Sequence, residues 1–282
     1  IRINSRRVRP NTIIKLHEAI TLPPGLRENT TKEIKKKEFS FKKEDIKLLQ
    51  NSLISDYKDC FVLNKPQGLP VQGGRNIDRH IDGLLQPAFG KNDRPLLVHR
   101  LDKDTSGALI IGKNRLAAKR LTEAFKNNQI KKMYLALVSG CPSGEIKKID
   151  FPLSKNNNME KVIVDYQNGL DAITYLNVLG SSDKISLVSL FPITGRTHQL
   201  RVHMAEIGHP IVGDRKYGSF KLLIPIQKQK INLQLHCFQL IFPNEINQMK
   251  LTQAPINKNM LNNAKLLGLD KYIPSIGKAH FH

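Results

Sequence analysis

The feature that most constrains the fold of this chain is a succession of short apolar segments separated by glycine, proline and asparagine turns. Segments of strand length are residues 61–63, 96–98, 108–111, 133–138, 172–178, 185–191 and 233–242. Helices are predicted over 114–125, with Asn114 as the N-cap, and over 197–207, ended by Gly208. Because strands and helices do not alternate strictly, the pattern predicts an α+β fold with a mixed, largely antiparallel sheet.

Three segments are predicted from changes in composition along the chain. Residues 1–26 form a small basic segment that ends at a Pro-Pro-Gly turn, and residues 27–50 form a linker or exposed helix dominated by charged residues. Residues 51–282 form the main domain, in which no further linker of comparable length occurs.

The charge of the chain points to a polyanionic partner. Lys and Arg number 45 against 24 Asp and Glu, which leaves a formal net charge of +21. Basic side chains that neutralise phosphates release counterions, so nucleic acid is the natural partner, although a lysine-rich proteome would give a similar composition. In the first segment, Arg2, Arg6, Arg7 and Arg9 have no acidic residue among them. They are expected either on short strands that face a phosphate backbone or on a solvated basic arm.

Several other classes of protein are disfavoured by the cysteine and hydropathy patterns. The three cysteines are far apart and form no CxxC pair, so neither a disulfide framework nor a zinc site is expected. No apolar segment approaches the roughly 20 residues that span a bilayer, and no secretory signal is evident. We therefore expect a cytoplasmic protein without a membrane segment or a metal.

Two segments carry residues that could perform chemistry. Asp102 lies in the segment HRLDKDTSG at 99–107, between two predicted strands, with Arg100 and Lys103 beside it. A carboxylate that stays ionised on such a loop can act as a nucleophile or a base, but an ordinary charged loop would look the same. Residues 192–203 bring two Arg, two His, a Thr and a Gln to a predicted strand-to-helix junction. Arg196 at the helix start could hold a carboxylate or a phosphate, and the five-residue spacing of His198 and His203 does not suit a metal.

The order of the motifs closely resembles the RluA-type family of RNA pseudouridine synthases. The motifs are NKPQGLPVQGG at 64–74, HRLDKDTSG at 99–107, KMYLALVSG at 132–140, residues 194–203, and GHPIVGD at 208–214 followed by Tyr217 and Gly218. The resemblance covers roughly residues 56–255. Residues 71–74, 135–138 and 152–156 are most similar to the RluC-type enzymes, which modify large-subunit ribosomal RNA. Within this family, Asp102 matches the catalytic aspartate, which acts as a nucleophile or as a base.

The resemblance also implies roles for four residues around Asp102. Arg196 matches the arginine that pairs with the catalytic carboxylate, and Tyr134 matches the tyrosine that packs on the target base. Leu200 matches an apolar residue on the other side of the uracil, and Arg100 matches the arginine that enters the RNA stack. The implied enzyme needs no cofactor or metal, acts on ribosomal RNA, and is expected to be a monomer.

Residues 1–24 resemble the second half of an S4 RNA-binding domain, which many such enzymes carry in front of the catalytic domain, and the first half has no counterpart here. Two other functions are compatible with the charge and with the S4-like segment. One is a non-enzymatic ribosomal RNA-binding or assembly factor, which would not require Asp102, Tyr134 and Arg196 together. The other is an RNA N-glycosidase, which would break the same bond and leave an abasic site.

Overall fold

The computed structural model describes residues 2–8, 12–22, 41–74, 77–91, 93–145, 147–156, 159, 161–218 and 231–275. The chain divides into two compact units, Ile1–Ser40 and Phe41–His282. In the described part of the first unit, strands β1 (Arg2–Ile3), β2 (Arg6–Arg7) and β3 (Ile20–Thr21) form a small antiparallel sheet in the order β2-β1-β3. Asn4 and Ser5 both have positive φ angles, which suits the tight turn of the β1–β2 hairpin.

The second unit begins at Phe41, ten residues before the predicted boundary at 51. Its first helix, α1 (Lys43–Gln50), falls within the predicted linker. Leu49 is fully buried, and Phe41 and Ile46 pack against the main core, so this segment is part of the larger unit. The charges between these apolar residues conceal the apolar face of α1 in the sequence. Residues 27–40 of the predicted linker lie outside the described residues.

The larger unit is built on one mixed sheet. Its strands are β4 (Leu53–Asp56), β5 (Cys60–Lys65), β6 (Leu96–Leu97), β7 (Ser106–Gly112), β8 (Lys131–Ser139), β9 (Lys148–Asp150), β12 (Ile173–Ser181), β13 (Ile185–Pro192), β14 (Leu235–Pro243) and β15 (Met249–Gln253). The order is β4-β5-β7-β14-β8-β13-β12-β9, with β6 beside β7 and β15 beside β14. Among the described strands, only β7 and β14 pair in parallel. The predicted mixed, largely antiparallel α+β fold is therefore confirmed.

The remaining elements are helices on the sheet and one separate hairpin. They are α2 (Ile81–Phe89), α3 (Arg115–Lys126), α4 (Gln199–Glu206) and α5 (Lys258–Leu266), with the hairpin β10 (Leu153–Asn156) and β11 (Lys161–Val164). The predicted cap of α3 is confirmed, since the Asn114 side chain accepts a hydrogen bond from the backbone N–H of Ala117 at 2.9 Å. Gly208, predicted to end α4, has a φ of 82° just after that helix.

Strand β8 separates two apolar clusters because its side chains alternate between the faces of the sheet. Tyr134, Ala136 and Val138 belong to one cluster, and Met133, Leu135 and Leu137 belong to the other. The strand is thus buried on both faces. Gly107 lies in a tightly packed part of the sheet and has a φ of 109°. A Cβ at this position would lie 2.2 Å from the Cys237 carbonyl oxygen, which explains the glycine.

None of the helices in the described parts of the chain has the length and apolarity that crossing a membrane requires.

Candidate active site

Asp102 lies on the loop between β6 and β7, at the wall of a pocket of about 370 Å³. Its carboxylate is 21% exposed. The neighbouring Leu101 and Thr105 are buried and anchor the loop on both sides of it. Asp102 also borders a second, wider groove lined by Lys103, Lys161 and other basic residues. The carboxylate thus lies where a pocket of mixed polar and apolar lining meets a basic groove.

The Asp102 loop is held by the segment that follows β5. Lys65 is fully buried, and its Nζ donates hydrogen bonds of 2.9 Å to the carbonyl oxygens of Lys103, Leu69 and Pro66. The Lys103 carbonyl also accepts from the N–H of Gly68 at 2.9 Å. These contacts give a physical reason for the Asn-Lys-Pro-Gln-Gly motif, because one buried ammonium group fixes the loop next to the candidate catalytic carboxylate.

Two basic side chains approach the Asp102 carboxylate. Arg201 Nη1 lies 3.7 Å from Asp102 Oδ2, and His198 Nε2 lies 3.9 Å from the same oxygen. Arg201 is held in turn by Asp214, since its Nε and Nη2 donate to the two carboxylate oxygens at 2.7 and 2.8 Å. Asp214 has a fully buried side chain. The arginine therefore has a fixed orientation before any substrate arrives.

Arg196, the residue predicted to pair with Asp102, is placed differently. Its side chain is exposed at the wall of the pocket, and its Nε donates to the Asp171 carbonyl oxygen at 3.0 Å. Within the described part of the chain, the ion pairs of Asp102 are those with Arg201 and His198. The difference follows from position: Arg196 precedes α4, whereas Arg201 lies inside the helix and is aimed by Asp214.

Tyr134 and Leu200 both line the pocket, as the resemblance predicted. Tyr134 comes from β8 and is 8% exposed, and Leu200 comes from α4 and is 7% exposed. Burial, and then the neighbouring Cys237, raise the pKa of Tyr134 well above its usual value. The tyrosine is therefore a neutral aromatic surface near neutral pH.

The loop that precedes α4 is clamped by Gln199, which is 3% exposed. Its Oε1 accepts from the Thr194 hydroxyl and the Arg196 N–H, while its Nε2 donates to the Ile173 carbonyl and the Thr174 hydroxyl. This clamp accounts for the backbone of His198, which has a φ of 55° and ψ of 15°. A left-handed backbone costs about 1–3 kcal/mol at a non-glycine residue and often marks a functional site.

The sequence alone did not distinguish the buried face of α4 from an exposed polar one. Arg201 and His203 are both buried, and His203 contacts the Thr174 hydroxyl and the Phe151 carbonyl at 3.0 and 3.1 Å. Burial lowers the pKa of His203, as expected of a neutral core histidine. Among the described residues there is no group of three or more potential metal ligands.

Arg100 is exposed and lies where the pocket and the basic groove meet. In the first unit, Arg2, Arg6 and Arg7 are exposed on the β1–β2 hairpin, which is the arrangement of short strands and basic turn considered from the sequence. Arg9 lies outside the described residues.

Comparison with known proteins places the chain in a family. A model of the RNA pseudouridylate synthases matches residues 59–206, which is more than half of the chain. This range contains Asp102, Tyr134, Arg196 and Leu200, so it covers most of the pocket just described. The protein therefore belongs to the RNA pseudouridylate synthase family, and the resemblance found in its motifs is confirmed.

Similar curated proteins carry the name ribosomal large subunit pseudouridine synthase C. The one from Buchnera aphidicola subsp. Baizongia pistaciae is 37% identical over 276 residues, covering 93% of this chain and 85% of that protein. The one from Vibrio cholerae is 30% identical over 269 residues, covering 92% and 82%. Among solved structures, human RNA pseudouridylate synthase domain containing 4 has a TM-score of 0.66 at 28% identity, covering 79% of this chain and 95% of that one.

Proposed function

We propose that this enzyme converts uridines of large-subunit ribosomal RNA to pseudouridine, with Asp102 as the catalytic carboxylate and without a cofactor. The observation that carries the proposal is the place of Asp102, where a pocket of about 370 Å³ meets a basic groove. Membership of the family supports the reaction. The names of the relatives support large-subunit ribosomal RNA as the substrate.

The reaction is an isomerisation and balances without a co-reactant. The bond between N1 of uracil and C1′ of the ribose breaks, the uracil turns, and C5 forms a new bond to C1′. C5 then gives up its proton, and N1 gains one. An ionised Asp102 can serve either as the nucleophile that forms a covalent intermediate or as the base that removes a proton. Both roles require the carboxylate to be fixed, which the Lys65 contacts achieve.

The walls of the pocket suit a uracil ring removed from the RNA stack. Tyr134 and Leu200 both line the pocket, and we assign Tyr134 as the aromatic surface on one side of the ring and Leu200 as the apolar surface on the other. A stacked nucleotide cannot reach a recessed carboxylate, so the target nucleotide must turn out of the helix at a cost of a few kcal/mol. We assign Arg100, which lines both the pocket and the groove, to the space that the nucleotide leaves. Stacking on Tyr134 would offset part of the cost.

Basic side chains around the pocket provide the contacts to phosphates. Arg196 is exposed at the pocket wall, and we assign it to substrate binding. We assign Arg2, Arg6, Arg7 and Arg9 of the S4-like segment to RNA binding as well. A monomer in the cytoplasm is part of the same proposal.

The direct test is release of tritium from large-subunit ribosomal RNA labelled at C5 of uridine. We expect release with large-subunit RNA and none with small-subunit RNA, together with new carbodiimide stops that mark pseudouridine. Binding without release would favour an assembly factor. Aniline-induced strand scission at the target would favour an N-glycosidase, because only an abasic site is cleaved in this way.

A further inference from the structure

His198 has an imidazole ring whose two nitrogens face different partners. Nδ1 lies 2.8 Å from the hydroxyl oxygen of Tyr217, and Nε2 lies 3.9 Å from Asp102 Oδ2. The histidine lines both the pocket and the basic groove. Its side chain is 19% exposed, so water can replace these partners only in part.

The hydrogen bonds of the Tyr217 hydroxyl bear on which nitrogen of His198 carries the proton. Its oxygen accepts a hydrogen bond from the backbone N–H of Val162 at 3.0 Å, and a backbone N–H can only donate. The tyrosine's own proton needs an acceptor, and His198 Nδ1 lies 2.8 Å away. With that proton donated to Nδ1, the neutral ring carries its own proton on Nε2.

The position of Tyr217 is itself fixed by its surroundings. Its ring packs at the apolar cluster that contains Val162, and the guanidinium of Arg201 lies 5.1 Å from the ring centroid. The rings of Tyr217 and His198 meet edge to face at 5.5 Å. The left-handed backbone of His198, held by the Gln199 clamp, brings the imidazole into this place.

We propose that His198 is a positioning residue for Asp102: Tyr217 holds the imidazole in the tautomer with hydrogen on Nε2, and this N–H is directed at the Asp102 carboxylate. At 3.9 Å the contact is longer than a hydrogen bond, and such contacts often shorten when substrate binds. The N–H then orients Oδ2 without removing the negative charge that the reaction uses. Burial lowers the pKa of His198, which keeps the ring neutral near pH 7 and makes its tautomer matter.

The inference rests on the proposed role of Asp102 but has a readout that does not depend on activity. Nitrogen-15 NMR of protein labelled at histidine distinguishes a protonated ring nitrogen from a bare one. We expect the His198 signals, assigned by their loss in His198→Asn, to show a bare Nδ1 and a protonated Nε2 at pH 7. We expect Tyr217→Phe to weaken this preference. A wild-type ring protonated on Nδ1 would overturn the proposal, whatever the variants do.

Two substitutions at His198 distinguish the contribution of Nε2–H from that of Nδ1 in an activity assay. In His198→Gln the amide N–H can take the place of Nε2–H, whereas the amide of His198→Asn reaches only the Nδ1 position, and asparagine tolerates the left-handed backbone. We expect kcat for tritium release to fall about 100-fold in the asparagine variant, as for a misplaced reactive group. The glutamine variant should recover most of kcat, with KM for RNA little changed in both. Equal losses in the two variants, or none in either, would contradict the proposal.

The matched control is His209→Asn. His209 is also hydrogen-bonded through Nδ1, to the Ser139 carbonyl at 2.8 Å, but it does not line the pocket. It should keep wild-type kcat, and thermal melting should show that all variants are folded. Failure of the wild-type protein to release tritium would count against the proposed function, while the NMR result would still decide the tautomer.

Discussion

Arg201 Nη1 lies 3.7 Å from Asp102 Oδ2, while the other edge of the same guanidinium is bound to Asp214 at 2.7 and 2.8 Å. One arginine thus lies between a fully buried carboxylate and a partly exposed one. The bidentate pair fixes the direction of the guanidinium, so the positive charge faces Asp102 at no further entropic cost on substrate binding. This relationship links the stability of the fold to the electrostatics of the pocket.

The first prediction concerns Asp214→Asn. Burial raises the pKa of Asp214, but hydrogen bonds and charge from Arg201, with backbone N–H groups, outweigh it and leave the pKa below its usual value. A lowered folded-state pKa stabilises the protein above the unfolded value of about 4, and this stabilisation is lost as the pH falls through the folded-state pKa. We expect the variant to lose about 3 kcal/mol at pH 7 by urea unfolding, and the difference from wild type to shrink below about pH 4.

Asp150→Asn is the control for that measurement. Asp150 pairs with Lys148 on the surface, where the two side chains are 51% and 46% exposed. Such pairs contribute less than about 1 kcal/mol. A loss in Asp214→Asn no larger than in this control, or one that does not depend on acidic pH, would contradict the assigned role.

The second prediction concerns Lys65→Met. The substitution keeps the length of the side chain but removes the donor to three carbonyl oxygens. The Lys103 carbonyl keeps the Gly68 N–H as a partner, but the Pro66 and Leu69 carbonyls lose the Lys65 donor. A buried acceptor without a partner costs about 1–3 kcal/mol, so we expect about 2 kcal/mol or more of destabilisation by urea unfolding. We also expect a lower kcat, because the Lys103 carbonyl adjoins Asp102. Lys119→Met, on the exposed face of α3, is the control, and equal behaviour of the two variants would count against the lysine's role.

The third prediction concerns Arg100→Ala. If Arg100 fills the space left by the flipped nucleotide, its loss should reduce kcat more on a structured ribosomal RNA fragment than on an unstructured one of the same sequence context. Single-turnover tritium release on both RNAs measures the difference. Arg115→Ala removes an exposed arginine that does not line the pocket, and it should affect both RNAs little. Equal losses on the two RNAs in Arg100→Ala would argue against a role in the stack.

The fourth prediction concerns the β1–β2 hairpin, in which Arg2, Arg6 and Arg7 are changed together to Gln. Affinity for RNA falls as salt rises, and each phosphate contact makes this fall steeper. If all three arginines contact phosphates, the slope of log affinity against log salt should become shallower by up to about 2–3 in the variant. Binding titrations between low and physiological salt measure this slope. Changing three exposed lysines of the larger unit, Lys119, Lys184 and Lys265, is the charge-matched control. An equal fall in slope in both variants would mean that the hairpin has no special contact with RNA.

Much of the sheet could be predicted because its strands are short, apolar and sharply bounded. The segments around β5, β7, β8, β13 and β14 all form strands, and Asn114 and Gly208 bound their helices as expected. Helix α1 lies in the segment predicted as a linker or an exposed helix, and its charged residues concealed that it packs against the core. Helix α2 contains Pro87 in its last turn, and a proline inside a helix obscures that helix in the sequence. These elements depend on packing against the sheet, which local patterns do not report.

The sequence predicted which residues belong to the candidate site but not which of them contact each other. The motifs identify Asp102, Tyr134 and Leu200, all of which line one pocket. That Arg201 rather than Arg196 lies closest to Asp102 depends on Asp214, which is 13 residues from Arg201 along the chain. No spacing rule connects these positions. The arrangement could be seen only once the loop at 214 was packed against α4.

Asp102→Asn tests the central claim most directly. The substitution keeps the size of the side chain and removes the charge, and in the described part of the chain the carboxylate makes ion pairs only at 3.7 Å or more, so little stability depends on it. Asp104→Asn changes an exposed carboxylate in the same loop and is the matched control. We predict that Asp102→Asn releases no measurable tritium from large-subunit RNA, with wild-type melting temperature and RNA affinity, while Asp104→Asn remains active. Tritium release by Asp102→Asn at a rate near that of wild type would contradict the account.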